Sequence, residues 1–158
     1  MFDAVIEFPK FKLGVRTRGE HVVEIRYLPA AALSVKAKNA VAEEAARQLE
    51  RYRDDPDATF DFPVKIEGTP LERGVWDAMC AIPRGATRTY GEIAKELGAD
   101  ARDIGQACGE NRLPIVIPCH RVVAADGIGG FGHATGGYLL EAKRWLLNHE
   151  APAFELKP

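Results

Sequence analysis

The spacing of apolar residues changes once along this chain, and that change limits what it can fold into. Phe11, Leu13 and Val15 alternate with Lys12, Gly14 and Arg16, the period of a strand buried on one face. Val23, Ile25 and Tyr27 alternate with Glu24 and Arg26 in the same way. Residues 4–8 read as a further strand and Thr17-Arg18-Gly19-Glu20 as a turn, so the first 30 residues predict an antiparallel meander. Beyond them the period lengthens. Asn39 can cap a helix over about 40–53, in which Val41, Ala45, Leu49 and Tyr52 share one face. Asp54-Asp55-Pro56-Asp57 ends it, and residues 54–68 read as a linker with a short extended piece around Phe60–Val64. A domain boundary near residue 67 separates residues 1–67 from 68–158.

The second half is punctuated by helix signals. Thr69 and Glu72 have capping-box spacing, with Pro70 in the first turn where a missing N–H costs nothing. Leu71, Val75, Met79 and Ile82 stripe one face before Pro83-Arg84-Gly85 closes the helix. Thr89-Tyr90-Gly91-Glu92 is a second capping box, opening a helix to Leu97. Gly98 breaks it, and Asp100 can cap a helix over 101–110. Two short helices joined by a glycine-containing turn have the shape of a helix-turn-helix, although any small helical hairpin gives it. Ile115-Val116-Ile117 predicts a short buried strand stopped by Pro118. A glycine-rich stretch, Gly127 to Gly137, precedes a last helix over 138–149. The fold class is α/β in the α+β sense: an antiparallel sheet with a helix, then a helical half.

Bulk properties exclude several classes. The 158 residues contain no apolar run near the roughly 20 needed to span a bilayer. The Met1-Phe2-Asp3-Ala4 start has no basic, apolar leader, so no signal peptide is expected. Cys80, Cys108 and Cys119 are an odd set without paired spacing, which points to a reducing, cytoplasmic setting rather than a disulfide framework. No CxxC or HxxxH spacing offers a metal site. The net charge of −2 argues against nucleic acid. Between residues 84 and 121, six basic residues face five acidic ones, so no basic patch forms there either.

Chemistry concentrates at Pro118-Cys119-His120-Arg121-Val122-Val123. A free thiol has a pKa near 8.5, so a nucleophilic cysteine needs a base beside it. His120 is adjacent, and Glu150 could orient it. In an extended chain neighbouring side chains diverge, so a direct Cys119–His120 contact needs a bend or an intervening water. A small buried cysteine at a strand end remains an equal reading. Ile104, Ala107, Cys108 and Asn111 fall on one helix face, which makes Cys108 a core residue. Ala101, Gly105 and Gly109 form a second strip with no bulk. An interior glycine costs a helix about 1 kcal/mol against alanine. Close approach of another backbone or of nucleic acid would justify that cost; so would plain packing of Gly105 and termination at Gly109. Tyr90 and Arg102 sit near helix N-termini, natural phosphate contacts, or are an aromatic packed on its own helix and a solvated charge.

These segments resemble the O6-alkylguanine-DNA alkyltransferases over roughly residues 67–150. The likeness rests on Gly74-Val75-Trp76, Ile82-Pro83-Arg84-Gly85, Thr89-Tyr90-Gly91-Glu92-Ile93-Ala94, Gly105-Gln106-Ala107, Ile117-Pro118-Cys119-His120-Arg121-Val122-Val123 and Leu146-Leu147-Asn148-His149-Glu150. The resemblance implies a ribonuclease-H-like N-terminal domain and a winged-helix-like C-terminal domain that holds the helix-turn-helix and the active-site cysteine. It implies that Cys119 accepts the alkyl group. His120 takes the thiol proton through water, Glu150 stands behind it, and Asn111 braces the preceding turn. Tyr90 crowds the phosphate, Arg102 fills the gap left in the base stack, and the Ala101/Gly105/Gly109 strip lies in the minor groove. Thr89 and Arg121 join the DNA contacts. Pro114, Val122, Phe131 and Gly132 line the base pocket. The implied partner is double-stranded DNA bearing O6-alkylguanine, bound by a monomer, with no cofactor, metal or membrane.

A stacked O6 atom cannot meet a buried nucleophile, so the base must flip, at a cost of a few kcal/mol. The thioether product has no easy leaving route, which implies one turnover per molecule. Two stretches depart from the family pattern. Asp103-Ile104 stands where Ala-Val is common, and an acid there should weaken DNA binding unless it caps the helix. Residues 130–137 form a longer loop than usual, with Phe131 where tyrosine is common. Alternatives are a non-catalytic alkylated-DNA binding protein, a cysteine hydrolase and a structural module. The first carries tryptophan in place of the cysteine, the second leaves the hairpin unexplained, and the third leaves the ordered motifs to chance.

Overall fold

The computed structural model describes residues 1–130 and 137–151. The chain forms two compact units, Met1–Ile66 and Glu67–Pro158. In the first, β1 (Ala4–Glu7), β2 (Phe11–Arg18) and β3 (His21–Pro29) form an antiparallel sheet in sequential order. Leu13 lies opposite Tyr27 and Ile6, and Val15 opposite Ile25 and Ala4, so one face is apolar throughout. Helix α1 (Ala40–Asp54) covers it with buried Ala42, Ala45, Leu49 and Tyr52. Its N-cap is Asn39, whose side chain accepts from the Ala42 N–H at 2.8 Å.

Two local expectations change here. The β2–β3 turn tightens to Gly19-Glu20, because both strands run further than alternation suggests. Around Phe60–Val64 only an isolated bridge forms, Val22 to Val64.

The second unit is helical: α2 (Pro70–Cys80), α3 (Tyr90–Leu97), α4 (Ala101–Gly109) and α5 (Tyr138–Glu150). Helices α2, α3 and α4 each open on a complete capping box, Thr69/Glu72, Thr89/Glu92 and Asp100/Asp103. Asp103 is therefore a cap, which answers the objection to an acid at that position. Gly98 ends α3 in the left-handed conformation, φ 65°, where a side chain would be strained. Val75, Met79 and Ile82 are buried as the α2 stripe requires, but Leu71 is 39% exposed.

A two-stranded parallel pair, β4 (Arg88–Thr89) with β5 (Val122–Val123), was not legible in the sequence. The strand expected at Ile115–Ile117 is a tight turn instead, with Pro114 bridging Ile117 and Ile115 at φ 75°. Asn111 dictates this: its Oδ1 accepts from the Leu113 N–H and its Nδ2 donates to the Ile117 carbonyl, each at 2.9 Å. One amide thus satisfies both ends of the turn and outweighs the β preference of three branched residues.

Candidate active site

Cys119, His120 and Arg121 form a single 3-10 turn at the exit of that loop. The chain is not extended there, so the expected divergence of neighbouring side chains does not apply. All three are buried: Cys119 is 5% exposed and His120 fully enclosed. Burial pushes this thiol up, and the neighbouring Asn111 amide and Lys143 charge offset only part of that rise.

His120 Nε2 lies 2.8 Å from Glu150 Oε2. A carboxylate can only accept, so Nε2 carries the proton and Nδ1 presents a lone pair. Nδ1 is buried and has no hydrogen-bond partner among the described residues. Burial also pulls the imidazole's pKa down, more than Glu150 raises it, which keeps the ring neutral at neutral pH.

Arg121 corrects an expectation. It was expected to reach DNA, yet its guanidinium turns inward. Nε and Nη2 grip the two Glu150 oxygens at 2.9 and 3.0 Å, and Nη1 donates to the Ile82 carbonyl at 2.8 Å. The Glu150 carboxylate, 2% exposed, would be costly without this fork. Gly85 passes the helix end at φ 86°, a conformation in which a side chain would be strained.

The sequence reading missed Lys143. It is fully buried in α5, and its ammonium donates to the Val122 carbonyl at 2.8 Å and the Gly130 carbonyl at 3.0 Å. Burial brings it down to about 8. Its spacing was the available signal, since Leu140, Lys143 and Leu147 fall at i, i+3 and i+7 on the apolar face. Tyr90 meets the same acceptor: its hydroxyl donates to Gly130 O at 3.2 Å, and Lys143 Nζ stands 5.7 Å from its ring. Tyr90 therefore packs beyond its own helix.

The remaining candidates divide. On α4, Ala101 and Arg102 are exposed, Gly105 and Gly109 half-exposed, and a Cβ on Gly105 would meet nothing within 4 Å. Gly105 therefore does not pack on a neighbour. Thr89 is half-buried and its hydroxyl caps α3. Pro114 is buried within the Asn111 turn, and Val122 is fully buried in β5. Phe131 and Gly132 lie outside the described residues. Cys108 is only half-buried, against the core position expected for it. No cluster of three or more His, Cys, Asp or Glu among the described residues could hold a metal ion. No helix among them is long and apolar enough to cross a membrane.

Residues 70–152 match the family described as 6-O-methylguanine DNA methyltransferase, DNA binding domain. A methylated-DNA–protein-cysteine methyltransferase of Methanosarcina barkeri is 45% identical over 109 residues, 68% of this chain and 66% of that protein. One from Mycobacterium tuberculosis is 43% identical over 115 residues, 69% of this chain and 67% of that protein. The matched stretch thus spans about two thirds of each relative. Among solved structures, M. tuberculosis O6-methylguanine methyltransferase superposes with a TM-score of 0.75 at 31% identity, covering 100% of this chain and 96% of that one. The M. tuberculosis OGT complex with DNA gives 0.74 at 34% identity, covering 94% and 91%.

Proposed function

The chain belongs to the 6-O-methylguanine DNA methyltransferase family, and from that membership we propose that it repairs DNA by moving an alkyl group from guanine O6 to Cys119. One observation carries the assignment to this residue. Cys119 is a buried thiol one residue from a histidine whose Nε2 is tied to a carboxylate and whose Nδ1 is free to accept. In the proposed step Nδ1 takes the thiol proton through a water. The thiolate attacks the alkyl carbon, the C–O6 bond breaks, and its electron pair returns to the base, which takes up one proton. The sulfur keeps the group as a thioether, so each molecule acts once.

The surrounding residues position this chemistry. Asn111 holds the turn, and Glu150 fixes the histidine tautomer. Lys143 ties down the Val122 and Gly130 carbonyls and places a positive charge within electrostatic reach of the thiolate. The proposed partner is duplex DNA carrying O6-alkylguanine, engaged inside the cell by a monomer. Residues 68–158 would bind it and accept the alkyl group, with residues 1–67 in support. Helix α4 would enter the minor groove on its smooth Ala101/Gly105/Gly109 side. Arg102 would fill the vacated stack and Tyr90 would crowd the phosphate. Arg121 has no part in binding, because Glu150 holds it inward.

The test is label transfer from O6-methylguanine in duplex DNA. One equivalent should move to wild type and none to Cys119→Ala; a labelled Cys119→Ala protein would refute the assignment.

A further inference from the structure

The proposed step sets the Tyr90 ring against a phosphate and gives its hydroxyl no task. That hydroxyl donates to the Gly130 carbonyl at 3.2 Å, and the Lys143 ammonium donates to the same oxygen at 3.0 Å. A carbonyl oxygen has two lone pairs, so these two donors fill it. Lys143 also donates to the Val122 carbonyl at 2.8 Å, one residue beyond the Cys119–Arg121 turn. Val122 and Val123 pair in turn with Arg88 and Thr89, and Thr89 leads directly into Tyr90. The contacts therefore form a closed circuit, from Tyr90 through Gly130, Lys143, β5 and β4 back to Tyr90. Gly129 admits the ring to it. A Cβ there would stand 3.1 Å from Tyr90 Cε2 and 3.2 Å from the Ala124 backbone nitrogen, so a side chain would displace one or the other.

We propose that Tyr90 is a positioning residue for the acceptor: its hydroxyl, through Gly130 and Lys143, fixes the start of α3 against the strand that follows Cys119. A phenol carries one proton, and Gly130 holds it. While so bonded, the hydroxyl donates to neither a phosphate nor a base, and only the ring is left to meet the nucleotide. The residue that crowds the phosphate and the turn that carries the nucleophile are then parts of one braced unit. Bracing matters because a displacement of about 1 Å can cost about a hundredfold in rate. The effect on rate rests on Cys119 being the acceptor; the circuit itself does not.

The experiment compares wild type, Tyr90→Phe and Gly129→Ala as full chains. Amide hydrogen exchange is read by mass on the free protein, and single-turnover transfer on saturating duplex DNA carrying O6-methylguanine. Tyr90→Phe keeps the ring and deletes one hydrogen bond. Exchange over residues 122–130 should quicken about two- to tenfold, the effect of one such bond, and the maximal transfer rate should fall by a similar factor. Gly129→Ala keeps the hydroxyl but displaces the ring, and should move both readouts the same way. Unchanged exchange in Tyr90→Phe would overturn the proposal even at a slower rate, since the hydroxyl would then act on the DNA directly. Faster exchange at an unchanged maximal rate would also overturn it, as would a loss confined to DNA affinity. Exchange in the free protein needs no alkyl transfer, so it still reads the circuit if Cys119 proves not to be the acceptor.

Discussion

Glu150 serves two masters, His120 and Arg121, and this sets what its replacement should do. Glu150→Gln keeps the volume but removes the charge that grips the buried guanidinium. It should cost about 3 kcal/mol, the low end for breaking a buried ion pair, and slow alkyl transfer at least about tenfold through the histidine. Denaturant titration and single-turnover kinetics would show both; a slower reaction at unchanged stability would mean that Arg121 finds another partner. Lys143 has its own signature in pH. Burial holds it near 8, against 10.5 for an ordinary lysine. Between those values the unfolded chain binds the extra proton, so this residue makes stability rise with pH. Relative to Lys143→Met, wild type should gain about 3 kcal/mol between pH 7 and pH 10.5. Urea unfolding at the two pH values measures this, and parallel curves would contradict it. Arg121 and Lys143 were the residues least visible in the sequence. A positive charge reads as surface until its buried partners are known, and those partners lie 29 residues away for Arg121–Glu150 and 21 for Lys143–Val122.

The helices were legible because their start signals are local. Each capping box fits within four residues, so Thr69, Thr89 and Asp100 could be read without knowing the fold. The Ile115–Ile117 turn was not, because Asn111 imposes it from outside the branched run and branched residues alone suggest a strand. Helix α4 offers the test at this scale. Gly105 faces open space, so Gly105→Ala should raise stability by up to about 1 kcal/mol. The bulkier Gly105→Leu should weaken duplex binding in a titration at fixed salt. Undiminished affinity of that variant would remove α4 from the proposed interface.

Across the whole molecule, the net charge of −2 shapes how DNA can be held. Arg88 is paired with Glu96 and Arg121 with Glu150, which thins the cations near α3 and α4 further. Few phosphates can then be neutralised, so a plot of log affinity against log salt should be shallow, with a slope no steeper than about −4. A steeper line, from binding measured across a salt series, would reveal a basic surface elsewhere. Chain order has a different consequence, one that plays out during synthesis. The thiol at residue 119 leaves the ribosome 31 residues before Glu150, which orients its histidine. At about 5–20 residues per second that gap lasts about 2 to 6 s. Through that interval the nascent chain carries the proposed acceptor sulfur with neither helix α5 nor the Glu150 carboxylate in place, and a message broken in between would yield a protein with that thiol and without the carboxylate that holds His120.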